Sequence, residues 1–335
     1  MIKAYIKAID YYLPEKTLSN VDLVQNFPGW DVEKIMEKVG INKRHIVTER
    51  ETATDLAVLA AQKLLAQGGC KKEDIDFILF CTQSPDYFLP TSACLIQDRL
   101  ELPKDIGAID FNQGCSGFVY GLSLAKGLIT ANIAKNVLLL TAETYTKKIH
   151  PQDNSNLSIF GDGAAAVVIS TDGFAEIGEF SLGTDGSGAE HLIIKTGAAR
   201  NPEKTNKTEF DENNNPVSPD YIYMNGSEIF SFTLKNIPLL VNSVLKKNMV
   251  EQEEVDLFIY HQANKYMLDF LKKKSKIEEK KFYIYLAEVG NTVSSTIPIA
   301  MCEALKDGSL KKGMKTMLVG FGVGLSWAGC ILTLV

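Results

Sequence analysis

Ala108-Ile109-Asp110-Phe111-Asn112-Gln113-Gly114-Cys115-Ser116-Gly117 is the stretch from which the rest of the chain is read. A strand-length run enters a glycine turn, and the small and apolar residues that follow, to about Thr130, read as a helix. Val137-Leu138-Leu139-Leu140 then reads as a second buried strand. A thiol on that turn stands at a helix N-terminus, where free N–H groups and the helix dipole favour the thiolate. Gly114 and Gly117 let the backbone bend and a substrate approach. The nucleophile elbow of serine hydrolases is built the same way, and its backbone N–H also serves as an oxyanion donor. On its own, a free cysteine is more often a small buried filler. That bland reading suits Cys81 and Cys330, in strand-like runs, and Cys94 and Cys302, in helical ones.

The unit recurs. Ile284-Tyr285-Leu286 leads to Gly290-Asn291-Thr292, a helix to about Leu305, and the strand Met317-Leu318-Val319-Gly320. Upstream of each copy lies a second matching pair. Lys71-Lys72-Glu73-Asp74-Ile75-Asp76-Phe77-Ile78-Leu79-Phe80 and Val250-Glu251-Gln252-Glu253-Glu254-Val255-Asp256-Leu257-Phe258-Ile259-Tyr260 both read as an acidic turn and a buried strand. Alternation of such strands with amphipathic stretches is the pattern of a layered α/β protein. The duplication puts Cys115 and Asn291 at equivalent turns, and a pseudo-twofold would bring both to the junction, where pockets form. The expected division is 1–175, carrying the cysteine, and 176–335, carrying a histidine and an asparagine.

Bulk properties agree with two fused cores. The chain has 335 residues, 45% of them hydrophobic, and single cores stop growing near ~250–300 residues. A net charge of −6 leaves no global basic field for nucleic acid or an anionic membrane. Six cysteines without a C-x-x-C pair argue against a zinc site or a disulfide framework, and suit a reduced cytoplasm. Met1-Ile2-Lys3-Ala4-Tyr5-Ile6-Lys7 alternates like a strand and lacks signal-peptide features. No apolar run approaches the ~18 residues of a membrane span. Residues 201–220, with Pro202, Pro216, Pro219 and the run Asn213-Asn214-Asn215, read as an exposed loop.

Of four histidines, His261 alone ends a buried strand, in Phe258-Ile259-Tyr260-His261-Gln262-Ala263-Asn264. A residue at that place in an open α/β sheet points into the functional crevice. His45, His150 and His191 sit among polar or turn residues and read as surface or structural. Asn291 in its glycine turn also suits helix capping. Cysteine, histidine and asparagine together say more than any one of them.

At these residues the sequence resembles the β-ketoacyl-acyl-carrier-protein synthase III family of the thiolase superfamily. The resemblance runs from Tyr11-Tyr12-Leu13-Pro14 and Gly40-Ile41-Asn42-Lys43-Arg44-His45 through Phe160-Gly161-Asp162-Gly163-Ala164-Ala165 to Gly320-Phe321-Gly322-Val323-Gly324-Leu325-Ser326-Trp327. Its strongest pieces are Gly114-Cys115-Ser116-Gly117-Phe118, His261-Gln262-Ala263-Asn264 and Gly290-Asn291-Thr292. It implies an α/β, thiolase-like, duplicated αβαβα five-layer fold, usually a homodimer, with Cys115, His261 and Asn291 catalytic. The implied oxyanion hole is the backbone of Cys115 and Val323. Asn264, Gly226, Phe230 and Phe160 would line the pantetheine and substrate path, and Leu89 would cap a partner's acyl pocket. No permanently bound cofactor is implied, only acyl-CoA or an acyl-carrier protein as thioester substrate, in fatty acid or polyketide assembly.

The residue types then suggest a reaction. Cys115 attacks an acyl thioester, and His261 and Asn291 hydrogen-bond the enolate as a malonyl thioester loses carbon dioxide. Where family members grip the nucleotide of coenzyme A with a tryptophan and arginines, the aligned residues are Lys34, Lys38 and Asn154. A carrier protein is therefore the expected acyl donor. Lys265, Lys272, Lys273 and Lys274 follow His261 closely and make a dock for it, although a charge run is usually only a solvated face. Rival readings are an acyltransferase with a non-malonyl acceptor, a cysteine peptidase with papain-like Cys, His, Asn order, and a scaffold whose Cys115 is merely buried.

Overall fold

The computed structural model describes residues 2–27, 29–212 and 215–335, so Met1, Asn213 and Asn214 of the expected strand and loop lie outside it. Ten strands form one mixed sheet. In chain order they are β1 (Tyr5–Tyr12), β2 (Phe77–Cys81), β3 (Gly107–Phe111), β4 (Asn136–Glu143), β5 (Gly163–Ser170), β6 (Ala175–Thr184), β7 (Leu257–Tyr260), β8 (Phe282–Tyr283), β9 (Lys315–Gly322) and β10 (Ser326–Leu334). The principal helices are α1 (Ala53–Ala66), α2 (Gly117–Thr130), α3 (Gly226–Asn248), α4 (Lys265–Lys274) and α5 (Thr296–Lys306).

The spatial order is β8-β7-β9-β10-β6-β1-β5-β4-β2-β3. From the middle outward, β1, β5 and β4 are antiparallel neighbours, and β2 and β3 then add parallel strands. On the other side β6, β10 and β9 are antiparallel, and β7 and β8 add in parallel. The connections repeat as well: β1-α1-β2-β3-α2-β4-β5 matches β6-α3-β7-β8-α5-β9-β10. Among the described residues, the strand pairs that join the two arms of the sheet are Tyr5 opposite Glu176 and Ile6 opposite Ala175.

Successive strand residues point to opposite faces, and here both faces are covered. Ile78 and Phe80 join α1 in one outer core, whereas Leu79 faces inward. Leu257, Ile259 and Leu318 also face inward, where α2 and α5 contribute Phe118, Leu122, Ile297 and Met301. Phe258, Met317 and Val319 face the other outer core, against Ile237, Val244 and Leu268 of α3 and α4. Three hydrophobic layers between sheet arms and helices make the αβαβα stack. Burial on both faces is why these strands read as continuous apolar runs.

One local expectation needs correction. The strand expected at Ile284-Tyr285-Leu286 lies earlier, at Phe282–Tyr283, because the Tyr285 N–H is taken by the Gln262 side chain at 2.7 Å instead of a strand neighbour. The loop around 201–220 is tethered: the Asp220 carboxylate accepts from the N–H groups of Thr205 (2.9 Å) and Asn206 (2.7 Å) and from the Thr196 hydroxyl (2.7 Å). Two-residue strands, Glu209–Phe210 and Pro216–Val217, pair within it.

Candidate active site

Cys115 sits on the turn between β3 and α2, closed by the Gly117 N–H donating to Gly114 O at 2.8 Å. The end of β9 is pressed against this turn. A Cβ on Gly322 would lie 3.0 Å from Cys115 Sγ, and one on Gly320 would lie 2.8 Å from Ser116 Cα, so neither position accepts a side chain without movement. The N–H groups of Cys115 and Val323 hydrogen-bond toward the Cys115 sulfur, and Ser326 steadies this corner by donating to Val323 O at 2.8 Å. Left-handed backbone falls on Gly324 (φ 137°), one residue after Val323.

The thiol departs from expectation. Burial, reinforced by the Glu143 carboxylate, pushes Cys115 up to about 12, and the two N–H groups only partly oppose this. The helix start does not win because the sulfur is almost wholly removed from water. Glu143, at the end of β4, is itself buried; it accepts from Gln83 N (2.8 Å) and Ser84 Oγ (2.9 Å), and desolvation holds it up at about 7.

His261 follows β7 directly, with its N–H on Val319 O at 2.8 Å. Its ring stands edge-on to Phe321 at 5.5 Å, and Nδ1 lies 2.7 Å from Thr296 Oγ1. Burial pushes this imidazole down to about 3, so it is neutral. Asn291 follows Gly290, whose φ of 77° makes the turn. Its backbone is clamped by Ile159 O (2.9 Å) and Gly161 N (3.0 Å). Its Oδ1 accepts from Val293 N at 2.9 Å, the capping-like role anticipated for it, which turns Nδ2 toward His261 Nε2, 3.5 Å away.

Cys115, His261 and Asn291 line one cavity of about 330 Å³ with Phe160, Gly226, Phe230 and Asn264. Asn264 also caps α4, accepting from Met267 N at 2.9 Å. Leu89 is not among the lining residues; it is 82% exposed, beside Phe88 at 88%. The lysines divide. Lys265 pairs with Asp269, and Lys272, only 12% exposed, pairs with Asp269 and Glu279, so their charges are met within the chain. Lys273 and Lys274 are exposed.

Several residues escaped the sequence reading. Trp30 lines a second cavity of about 290 Å³ with Lys34 and Lys38, and Ile159 borders both cavities. With its amide turned to satisfy both ends, Asn154 accepts from Trp30 Nε1 at 3.3 Å. A tryptophan is thus present at this cavity, four positions before Lys34 and just ahead of the helix Val32–Val39. Gln83, Glu143 and Tyr145 gather behind Cys115; Tyr145 donates to Gln83 Oε1 and packs on Phe160 with ring centroids 5.4 Å apart. The only signal for Glu143 was a lone charge closing a buried strand. Among the described residues there is no cluster of metal-ligating side chains and no helix long and apolar enough to cross a membrane.

The chain matches the family models "3-Oxoacyl-[acyl-carrier-protein (ACP)] synthase III" over residues 109–186 and "3-Oxoacyl-[acyl-carrier-protein (ACP)] synthase III C terminal" over 245–334. It is 38% identical to a Clostridium perfringens beta-ketoacyl-[acyl-carrier-protein] synthase III, covering 96% of this chain and 97% of that protein. A crystal structure of a 3-oxoacyl-(acyl-carrier-protein) synthase III superposes with a TM-score of 0.96 at 47% identity, covering 99% of both chains. The Burkholderia xenovorans 3-oxoacyl-(acyl-carrier protein) synthase gives 0.91 at 34%, covering 99% of this chain and 94% of that one.

Proposed function

Because the chain belongs to the 3-oxoacyl-[acyl-carrier-protein] synthase III family of condensing acyltransferases, we propose that Cys115, His261 and Asn291 perform its decarboxylative condensation. The acyl group moves from a pantetheine thioester to the Cys115 sulfur, and the departing thiol takes the proton. The N–H groups of Cys115 and Val323, already aimed at that sulfur, hold the tetrahedral oxyanion. A malonyl thioester then enters past Phe230 and Asn264. Its carboxylate leaves as carbon dioxide, the enolate oxygen rests on His261 and Asn291, and the new carbanion attacks the acyl-cysteine. The product is a 3-oxoacyl thioester, and the freed Cys115 thiolate takes up one proton.

The observation that carries this reading is the meeting of a thiol from one repeat with an imidazole and a carboxamide from the other in a single cavity. It also disfavours the peptidase reading, since Asn291 turns its N–H, and not its carboxamide oxygen, toward the histidine. Release of carbon dioxide from a malonyl thioester is the test. His261→Ala or Asn291→Ala should each slow it about 10²–10³-fold. An undiminished rate in either variant would remove that residue from the mechanism.

The acyl donor is a thioester of carrier protein or of coenzyme A. Trp30 offers an indole face, and Lys34 and Lys38 offer ammonium groups, beside the reaction cavity. This supports coenzyme A more than the sequence alone did. Lys273 and Lys274 are the docking charges for an acidic carrier, with Lys265 and Lys272 demoted by their internal pairs.

We further place the division of the chain at 1–175 and 176–335, and assign the assembly as a homodimer in a reduced cytoplasm. Edge strand β3 leaves Ile109 46% exposed, and Tyr87, Phe88 and Leu89 are exposed in the same half. An open strand edge with apolar side chains favours pairing with a second copy. Leu89 would then reach the partner's cavity.

A further inference from the structure

His261 Nδ1 lies 2.7 Å from Thr296 Oγ1, at the first residue of α5. That hydroxyl in turn lies 3.0 Å from Val293 O, toward which it donates. The Val293 backbone also hydrogen-bonds the imidazole in the sense that favours its protonated form, so a carbonyl oxygen faces the ring. A hydroxyl has one proton to give. If it is spent on Val293 O, both neighbours of Nδ1 are acceptors, and a bare Nδ1 would set lone pairs against lone pairs on the buried side of the ring.

Val293 holds this arrangement in place. Its φ of 56° is left-handed, which is costly for a β-branched residue. In that conformation its N–H reaches Asn291 Oδ1 at 2.9 Å while its carbonyl reaches Thr296. One strained residue therefore orients both cavity-facing donors.

The geometry points to Thr296 as a positioning residue that keeps the proton of neutral His261 on Nδ1, leaving Nε2 as the bare nitrogen beside Asn291 Nδ2 in the cavity that Cys115 also lines. This rests on the condensing reading above and deepens it. During acylation Nε2 accepts the thiol proton as the sulfur bonds to the acyl carbon. It returns that proton to the departing thiolate when the carbon–sulfur bond breaks. During condensation one proton is consumed. It enters on Nε2 from solvent with the malonyl thioester, donates to the enolate oxygen, and ends on the Cys115 sulfur when the acyl group leaves. Nδ1–H stays fixed on Val293 O and Thr296 Oγ1 throughout, so one nitrogen exchanges protons and the other does not.

The test uses the full chain labelled with nitrogen-15 histidine, with a His261→Gln variant to assign the signal. In the wild type without substrate, Nδ1 should be the protonated nitrogen and Nε2 the bare one. In Thr296→Val the two forms should mix, and in Thr296→Ser the wild-type pattern should return. Acylation of Cys115, followed separately from condensation, should fall about tenfold or more in Thr296→Val at unchanged KM and recover in Thr296→Ser. A wild-type ring protonated on Nε2 overturns the inference whatever the activity. Equal loss in both variants, with the wild-type ring pattern kept, reduces Thr296 to a packing role and also overturns it. The ring measurement needs no substrate, so it stands or fails apart from the reaction assigned to the enzyme.

Discussion

The Cys115 sulfur lies between opposed influences. The turn N–H and the Val323 N–H favour the thiolate, while burial and the Glu143 carboxylate favour the thiol and prevail at about 12. The Cys115 thiol is therefore protonated at neutral pH, and in the proposed mechanism substrate and His261 activate it. Iodoacetamide should accordingly react slowly near neutrality, and its rate at Cys115 should rise about tenfold per pH unit from about pH 7 to about pH 10 without a plateau, because only the thiolate reacts. Peptide mass mapping follows that site alone; a plateau near pH 7 would mean that the helix start prevails. Residue types were informative at this scale, and their environments were not. Cys115, His261 and Asn291 could be named from their places in the sequence, but the charge of the thiol depends on its burial and then on Glu143, which arrives from another strand.

Elements were legible where burial was two-sided. Continuous apolar runs such as Val137-Leu138-Leu139-Leu140 and Met317-Leu318-Val319-Gly320 mark strands packed on both faces, and the structure contains them within β4 and β9. Short edge elements were not, since β8 is held by only two pairings and by Gln262, a residue outside its own run. Trp30 was missed for a related reason: aligned positions in a line of sequence do not record which neighbouring residue the fold brings to a cavity. The start of α2 depends on close contact, because a Cβ on Gly117 would meet Cys81 Sγ at 2.3 Å. Gly117→Ala should destabilise the protein by about 1–3 kcal/mol through overpacking. Adding Cys81→Ala, which removes the clashing sulfur, should recover part of that loss in denaturant titrations. Identical stability of Gly117→Ala and wild type would mean the turn is looser than these distances say.

At the scale of the whole molecule, duplication makes the site. β2 and β7, β4 and β9, α2 and α5 are equivalent pairs, so the turn before α2 and the turn before α5 approach the cavity from opposite sides. The repeat could be read from paired motifs, but the joining of both arms through two residue pairs at β1 and β6 left no mark in the sequence. The open edge at β3 extends the same logic to a second chain. Sedimentation should give twice the 36.9 kDa chain mass for the wild type. Ile109→Glu, which puts a charge on that edge, should shift the protein toward monomer and lower its activity; an unaltered dimer would place the interface elsewhere. The most direct measurement of the central claim is intact-protein mass spectrometry in two steps. An acyl thioester should add one acyl group, mapped to Cys115, and a malonyl thioester should then remove it with release of one carbon dioxide per acyl group. An acyl group found on another residue, or one that malonyl thioester leaves in place, would contradict the account.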